Sequence, residues 1–181
     1  MSKNRLVWCQ VSNNSLNLPL DKETKYQLSS SLGKQTTEME ILRATRTAQQ
    51  AAAYYVRIQA MARKHRIPLD AEFDEHDTPQ TKYIVIMDDF LPVATCRLYG
   101  LGRQRVMLGR IVVLPEYRHQ GLGTRVVQEA ENWAKELGFT TAVLESRDNK
   151  IPFYEQLGYV ADMGTPIVGE TFTCYRMEKP L

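Results

Sequence analysis

The chain has 181 residues, with 23 lysine and arginine side chains against 21 aspartate and glutamate side chains, so its formal net charge is +2. A length of this order suits one well-buried domain and is short for two. Because nucleic-acid-binding domains usually carry a strong basic excess, the charge balance argues against a nucleic acid partner.

Residues 1–38 are polar and weakly patterned, except for RLVWCQV, whose apolar residues predict one short strand. We interpret residues 1–38 as an N-terminal extension of uncertain structure and residues 39–181 as the folded domain. The opening MSKNRLVWCQ lacks the apolar segment of a secretion signal, and no run in the chain approaches the ~18 apolar residues of a membrane span. We therefore expect a cytoplasmic protein without a membrane partner.

A regular pattern begins at Met39, where MEILRAT predicts a strand and TAQQAAAYYVRIQAMARKHR predicts a helix. Basic residues fall in the last turn of this helix, which suits the helix dipole, and Pro68 ends the segment. The acidic stretch LDAEFDEHD follows, with five carboxylates between Asp70 and Asp77. Two interpretations of the acidic stretch stay open: it attracts a cationic amine substrate, or it is a solvated loop.

Three strand-like runs come next, KYIVIM, LPVATCRLY and VMLGRIVVL, and the short links between them predict an antiparallel meander. The stretch LGTRVVQEAENWAKEL then predicts a helix whose apolar face carries Leu122, Val126, Ala130, Trp133 and Leu137. A strand FTTAVLES, a short helix around PFYEQL and a last strand ending in FTCYRME complete the order βαβββαβαβ. This order predicts a mixed α/β sheet covered by helices.

The three cysteines, Cys9, Cys96 and Cys174, lie far apart in the sequence. No second cysteine or histidine stands at metal-ligand spacing from any of them. We therefore expect reduced, packed thiols and no metal site.

The stretch YRHQGLGTR places two glycines at a strand-to-helix junction. A helix start exposes about four unpaired N–H groups and roughly half a positive charge, which together bind anions. Gly121 and Gly123 would let a large anion approach the backbone, with Arg118 adding hydrogen bonds to phosphate, or the glycines simply make the turn. Val126 stands where the dinucleotide fingerprint needs its third glycine, and the Gly-Lys-Ser/Thr of a P-loop is absent from the sequence.

RHQGLG matches the pattern Arg/Gln-x-x-Gly-x-Gly/Ala and resembles the coenzyme A pyrophosphate loop of the GNAT superfamily of N-acetyltransferases. Two further stretches resemble the same family in the expected order: RIVVLPEYR its fourth strand, and FYEQLGY (Phe153–Tyr159) its later tyrosine motif. The resemblance covers residues 39–181. It implies a mixed, mostly antiparallel central sheet flanked by helices and splayed between the fourth and fifth strands.

The resemblance also implies that acetyl-CoA lies where those two strands splay apart. The backbone of Ile111, Val112 and Val113 would pair with the pantetheine arm, and the amides of residues 119–124 would hold the pyrophosphate. The coenzyme-binding residues implied in the loop are Arg118, His119, Gln120, Gly121, Leu122, Gly123 and Thr124. We expect the side chain of His119 to be solvated, so that only its backbone contributes.

Acetyl transfer to an amine needs a base for the ammonium proton, a donor for the developing oxyanion and a proton for the departing thiolate. The resemblance implies that Tyr154 is the general acid, since a phenol with a pKa of about 10 is protonated at neutral pH. For the oxyanion we expect a backbone N–H near Val113. Met107 occupies one position where relatives carry a basic carboxylate, which leaves Glu145 or a water chain as the general base. Glu145 lies nearer to Tyr154 in sequence than in relatives whose loop carries an asparagine toward the coenzyme, and Asn149 is too close to Tyr154 to fill that position securely.

These features favour an enzyme that moves an acetyl group from acetyl-CoA to a primary amine of a small molecule or a peptide, by direct attack in a ternary complex. The alternative is a non-catalytic module that binds CoA and acts through a protein partner, with residues 1–38 as the contact segment. Tyr154 favours the enzyme, because a binding module has no use for a proton donor there. Relatives often pair, so a homodimer is left open.

Overall fold

The computed structural model describes residues 39–169 and 173–181. The predicted strand RLVWCQV and Cys9 lie outside the described residues, so the division into an extension and a domain stays a prediction. The strands are β1 (Glu40–Ala44), β2 (Lys82–Asp88), β3 (Leu91–Gly102), β4 (Arg105–Val113), β5 (Thr141–Arg147), β6 (Val160–Ala161), β7 (Ile167–Val168) and β8 (Thr173–Pro180). The helices are α1 (Thr47–Arg57), α2 (Arg63–His65), α3 (Leu69–Glu72), α4 (Leu122–Glu136) and α5 (Ile151–Glu155), and a π-helical turn (Ile58–Ala62) joins α1 to α2.

The strands form one sheet in the order β1-β2-β3-β4-β5-β8-β6, with β7 paired to β8. The strand pairs are antiparallel except for β4 with β5, which is parallel. The predicted meander is confirmed as β2, β3 and β4, and so is the fold class, a mixed and mostly antiparallel sheet flanked by helices. One boundary differs from the prediction, because β3 continues to Gly102 and leaves a turn of two residues, Arg103 and Gln104, both with positive φ.

The parallel pair β4 and β5 separates soon after it begins. The two strands are paired only over Arg105–Met107 and Thr141–Val143. Beyond these residues β4 continues along β3, while β5 continues along β8. The splay expected between the fourth and fifth strands is therefore confirmed. It leaves Leu108–Val113 with no partner on the β5 side within the described chain, and we call this stretch the open edge.

Helix α4 covers one face of the sheet. Its apolar stripe buries Leu122, Val126, Ala130 and Trp133, as the spacing predicts, whereas Leu137 lies just beyond the helix and is 44% exposed. The buried stripe packs mainly on β2, β3 and β4. This packing sets the position of the helix start, which lies beside the end of β4.

Helix α1 packs on the opposite face. Along β2, Ile84 and Ile86 belong to the core cluster that includes α4, whereas Tyr83 and Val85 cluster with Ala53 of α1. Because successive side chains of a strand point to opposite faces, the sheet separates an α4 face from an α1 face. Within the described part of the chain, no helix is long and apolar enough to cross a membrane.

Candidate active site

The loop between β4 and α4 presents a run of backbone amides to solvent. Gly121 precedes the helix with φ of 75°, and its carbonyl accepts the first helical hydrogen bond from the Arg125 amide at 3.1 Å. The amides of residues 119–124 donate to no acceptor in the part of the chain that the structure describes. Unpaired donors at the positive end of a 15-residue helix have the chemistry of an anion site.

The two glycines of this loop are needed for different reasons. At Gly121 a Cβ would meet nothing within 4 Å, so the positive φ alone demands glycine and the space beside it is open. At Gly123 a Cβ would lie 3.3 Å from Cζ of Phe153, so this glycine lets α4 and α5 approach each other. The sequence suggested that both glycines let a ligand approach the backbone. The structure leaves space for a ligand at Gly121, whereas Gly123 serves the packing of α4 against α5.

The side chains of the loop lie back along the protein surface. Arg118 donates from Nε to the carbonyl of Val113 at 3.2 Å, and Gln120 donates to the carbonyl of Glu116 at 3.4 Å. The side chain of His119 is exposed, and its φ is 62°. What the loop offers a ligand is therefore chiefly its backbone.

Positive charge converges on the space between α2, the loop and the end of β5. Burial lowers the pKa of the His65 imidazole, and the charges of Arg147, Lys64 and Arg118 lower it further. Burial also lowers the pKa of the Arg147 guanidinium. A histidine surrounded by cations reports a positive potential, which suits a phosphate-bearing ligand. Neither His65 nor Arg147 could be assigned from the sequence, because only the fold brings α2 and β5 beside the loop.

Ile111, Val112 and Val113 form the last part of the open edge, a few residues before the loop. The side chain of Val112 is buried in the core, while those of Ile111 and Val113 are half-buried. An unpaired strand edge can pair with a further extended segment. The structure thus brings the strand and loop residues predicted to bind the coenzyme to the same end of the sheet.

A β-bulge interrupts the open edge. Thr95 of β3 stands opposite Val112, and Arg97 stands opposite Gly109. An advance of two residues along β3 therefore corresponds to an advance of three residues along β4. The extra residue lies at Arg110, whose φ is 50°. Bulges commonly occur next to active sites, where they redirect backbone and side chains. The sequence carries a signal for it, a glycine followed by arginine inside the apolar strand MLGRIVV.

The acidic stretch is held by arginines from inside the protein. The members of this charge cluster are Arg57, Arg97, Arg110, Glu72, Asp74 and Asp77. Fully buried Arg57 contacts Glu72 at 2.8 Å and Asp77 at 2.6 Å, and Arg97 contacts Asp74 at 2.7 Å and Asp77 at 2.8 Å. The acidic stretch is therefore neither a solvated loop nor a set of free anions, since three of its five carboxylates are neutralised within the fold.

The charge cluster is expected to make the protein sensitive to acid. Burial raises the pKa of Asp77, but hydrogen bonds from Arg57 and Tyr83 outweigh burial and hold that pKa well below its usual range. Hydrogen bonds from Arg97 likewise outweigh burial and lower the pKa of Asp74. In the unfolded chain both carboxyls return to a pKa of about 3.9, so the stability they contribute is complete above that value and is lost as pH falls below it.

We therefore expect the urea midpoint to fall steeply between about pH 4 and pH 2, and to change little between about pH 7 and pH 5. The Asp77→Asn variant should begin with a lower midpoint and lose less of it on acidification. A native midpoint that stays constant down to pH 3 would contradict this assignment.

The FYEQLGY motif attaches α5 to α4. Phe153 lies against Gly123, and the Tyr159 hydroxyl donates to Glu131 Oε1 of α4 at 2.9 Å. The Tyr154 ring packs edge-on between them, with its centroid 4.9 Å from that of Phe153 and 6.1 Å from that of Tyr159. Phe153 and Tyr159 therefore have a structural role, and their contacts with α4 position Tyr154 next to the start of that helix.

Tyr154 differs from its neighbours in the motif because its hydroxyl has no hydrogen-bond partner among the residues that the structure describes. Its side chain is buried, and burial raises the pKa of the phenol above its ordinary value. A buried phenol in this state keeps its proton at neutral pH and can donate it.

Glu145 lies on the face of β5 that is opposite to Tyr154. Leu144 packs in the same core cluster as Tyr154, so the next side chain, Glu145, points toward the α1 face. Its Oε1 accepts a hydrogen bond from Arg176 Nη2 at 3.1 Å, and its side chain is 38% exposed. Met107, the other position weighed for a base, is buried beside β5. The two side chains predicted to be catalytic are thus on opposite faces of the sheet.

A cavity of about 380 Å³ lies at the end of the sheet remote from the loop, with Phe139, just past the end of α4, in its wall. Glu75 and His76 of the acidic stretch also line it, together with Tyr99, whose ring stacks on His76 at 3.9 Å. Burial raises the pKa of Tyr99, and the charges of Asp74 and Glu145 add to the rise. The volume is in the range of small-molecule sites.

Over residues 39–169 and 173–181, no group of three or more His, Cys, Asp and Glu side chains is arranged to hold a metal ion. Cys96 is buried and Cys174 is half-buried, and both are free thiols. Burial raises the pKa of each thiol. Both cysteines therefore lack the thiolate character of a reactive or metal-binding residue.

Comparison with known proteins gives one consistent result. A model described as the acetyltransferase (GNAT) family matches residues 42–159. The uncharacterized N-acetyltransferase YjcF of Bacillus subtilis is 30% identical over 112 residues, which cover 59% of this chain and 75% of YjcF. The family match over residues 42–159 includes the strand, the loop and the tyrosine motif described above.

Solved structures agree with the fold. A crystal structure from Lactobacillus plantarum, described provisionally as an N-acetyltransferase, is 31% identical with a TM-score of 0.75 and covers 80% of this chain and 99% of its own. The PaiA N-acetyltransferase of Thermoplasma acidophilum, solved in complex with coenzyme A, is 16% identical with a TM-score of 0.60 and covers 80% of this chain and 100% of its own. At that identity the second likeness concerns the fold alone.

Proposed function

The chain belongs to the GNAT family of acetyltransferases, and from that premise we propose that it transfers an acetyl group from acetyl-CoA to a primary amine by direct attack in a ternary complex. Family members take an acyl group from acyl-CoA and acetylate amines. The observation that carries the proposal is the run of unpaired amides at residues 119–124, beside the splay of β4 and β5. The amine belongs to a small molecule or a peptide.

The residues present fit acetyl-CoA. The amides of residues 119–124 bind the pyrophosphate, the positive potential around His65 and Arg147 favours its charge, and Gly121 leaves open space for it. The backbone of Ile111–Val113 binds the extended pantetheine arm as a further strand would. The coenzyme A complex of the Thermoplasma PaiA enzyme, which has this fold, supports such an arrangement.

Two side chains carry the proton transfers. Tyr154 gives its proton to the departing thiolate, because burial keeps the phenol protonated and its hydroxyl has no competing partner among the described residues. Glu145 takes the proton of the attacking ammonium, directly or through water, since an amine with a pKa of about 10.4 cannot attack while protonated. A backbone N–H near Val113 donates to the carbonyl oxygen as negative charge develops there.

The acceptor amine approaches from the α1 face, where Glu145 is exposed. Charge pairing within the fold removes Asp74 and Asp77 from contact with substrate, which leaves Asp70 and Glu75 as the exposed carboxylates of the acidic stretch that can meet a cationic acceptor.

Calorimetric titration with acetyl-CoA tests the proposal. We expect micromolar binding by the native protein and at least tenfold weaker binding, about 1.4 kcal/mol, by Gly121→Glu, whose carboxylate would occupy the open space at the anion site. Gly138→Glu is the matched control, because Gly138 follows the other end of α4 with φ of 86° and also has nothing within 4 Å of a Cβ.

Consumption of acetyl-CoA with a panel of small and peptide amines completes the test. Native protein that does not bind acetyl-CoA overturns the proposal. Equal losses in the Gly121 and Gly138 variants would mean that the effect is backbone strain and not a blocked anion site. Binding without transfer to any amine would favour the non-catalytic CoA-binding module.

A further inference from the structure

We propose that Asp74 and Arg110 are positioning residues, which clamp the bulge of β4 and thereby hold the backbone N–H groups of the open edge where the acyl carbonyl would lie. The inference rests on the proposed function, since it concerns the same site. It assigns to the acidic stretch a role in catalysis that acts through the backbone and not through contact with substrate.

The bulge puts an unfavourable conformation at the centre of the open edge. Arg110 has φ of 50°, in the left-handed region, where a residue other than glycine costs about 1–2 kcal/mol. A strand paired on both sides would resist such a distortion, but beyond Met107 β4 is held by β3 alone. The shape of the open edge therefore depends on what the Arg110 side chain contacts.

That side chain is tied to a carboxylate that is itself fixed. Arg110 Nη2 contacts Asp74 Oδ2 at 3.0 Å, and Asp74 accepts two hydrogen bonds from Arg97, at 2.7 Å and 2.9 Å. Asp74 Oδ1 also accepts from the His76 amide at 2.9 Å, which orients the carboxylate. The contacts with Arg97 and with the His76 amide thus fix the position of Asp74 independently of Arg110.

Asp74 links Arg97 of β3 to Arg110 of β4 across the bulge. Arg97 is the β3 residue opposite Gly109, immediately before the bulge, and Arg110 is the inserted residue of β4. Asp74 bridges the two strands where the regular ladder of hydrogen bonds is interrupted. The pair is only partly exposed, with 27% of the Asp74 side chain and 32% of the Arg110 side chain accessible. An ion pair in that setting is screened less by solvent than one on the open surface.

Hydrogen exchange at the amides of residues 109–113 tests the clamp without requiring activity. We expect exchange about tenfold faster or more in Asp74→Asn and in Arg110→Gln than in the native protein, because the bulge loses its tether. Arg105→Gln is the matched control, since it removes another ion pair of β4, with Glu178, at the end away from the bulge. Its exchange at residues 109–113 should match the native rate.

The kinetic readout separates positioning from general stability. In both clamp variants we expect kcat to fall between about tenfold and 10²-fold, as small displacements of catalytic groups do. The Kd for acetyl-CoA should rise by a smaller factor than kcat falls, because the loop amides are untouched and only the edge at Ile111–Val113 is loosened. Arg110→Lys should recover part of kcat, since it keeps the charge but not the planar fork.

Because glycine adopts a positive φ without strain, Arg110→Gly should lie nearer to the native protein than Arg110→Gln in both exchange and kcat. If Arg110→Gln and Asp74→Asn match the native protein in both, the tether is dispensable and the inference is overturned. The inference is also overturned if the two clamp variants lower the melting temperature but leave exchange at residues 109–113 and kcat unchanged. Native protein that transfers no acetyl group contradicts the proposed function instead, and the exchange rates alone then decide whether the clamp exists.

Discussion

Replacing Tyr154 by phenylalanine is expected to lower kcat for acetyl transfer by about 10²–10⁴-fold, the usual contribution of a general acid. The ring fills the same space in the core, so the fold and the affinity for acetyl-CoA should be unchanged. Because burial raises the pKa of Tyr154 above its ordinary value, the native enzyme should keep this proton donor across the neutral range, and loss of activity from deprotonation should appear only at alkaline pH. Steady-state kinetics with any accepted amine measure the effect.

Tyr159→Phe is the matched control, because it removes a hydroxyl from the same motif. The Tyr159 hydroxyl donates to Glu131, so its loss should lower the free energy of unfolding by about 1–3 kcal/mol and leave kcat near native. Equal kcat in native protein and Tyr154→Phe would rule out Tyr154 as the acid. Similar falls in both variants would indicate that the motif acts on stability alone.

Replacing Arg57 by methionine is expected to lower the free energy of unfolding by about 3–5 kcal/mol. The Arg57 guanidinium is fully buried between Glu72 and Asp77 and stacks on the Phe73 ring at 4.3 Å. Methionine can fill the space, but it leaves Glu72 buried with only a distant cation, Arg110, at 3.9 Å. Urea unfolding at neutral pH gives the number.

Arg105→Met serves as the control for Arg57→Met. Arg105 is 38% exposed and pairs with Glu178, so its loss should cost at most about 1 kcal/mol. Arg57→Lys, which keeps the charge but not the fork geometry, should lie between Arg57→Met and the native protein. A loss below 1 kcal/mol in Arg57→Met would show that the cluster adds little to stability and would weaken its role as a support for the site.

The charge cluster changes the interpretation of the most polar stretch of the chain. From sequence alone LDAEFDEHD is acidic and lies in a loop, which allowed either a solvated loop or a patch that attracts amines. The arginines that neutralise it come from α1, β3 and β4, which lie between about 15 and 40 residues away along the chain. Because these arginines are distant in sequence, the sequence alone did not identify them as partners of the acidic stretch. Only the tertiary contacts show that the acidic stretch supports β4.

Much of the fold could be predicted because its signals are local. The apolar spacing predicted α4, the short turns predicted the meander of β2, β3 and β4, and Gly121 marked the turn into α4. These features depend on helix and strand periodicity and on backbone conformation, which act over a few residues. The stretch PFYEQL predicted the short helix α5, whereas Tyr154 was assigned from the resemblance of its motif to the family.

The sequence by itself thus determined the order of the main helices and strands, though not α3, β6 or β7, together with the family and the stretch of backbone suited to an anion. Only the tertiary structure decided why Gly123 is glycine, which face Glu145 occupies and what the acidic stretch binds. Each of these depends on contacts between residues far apart in the chain, such as Phe153 with Gly123 or Asp74 with Arg110. Such contacts leave no periodic pattern, because they are set by how the helices pack on the two faces of the sheet.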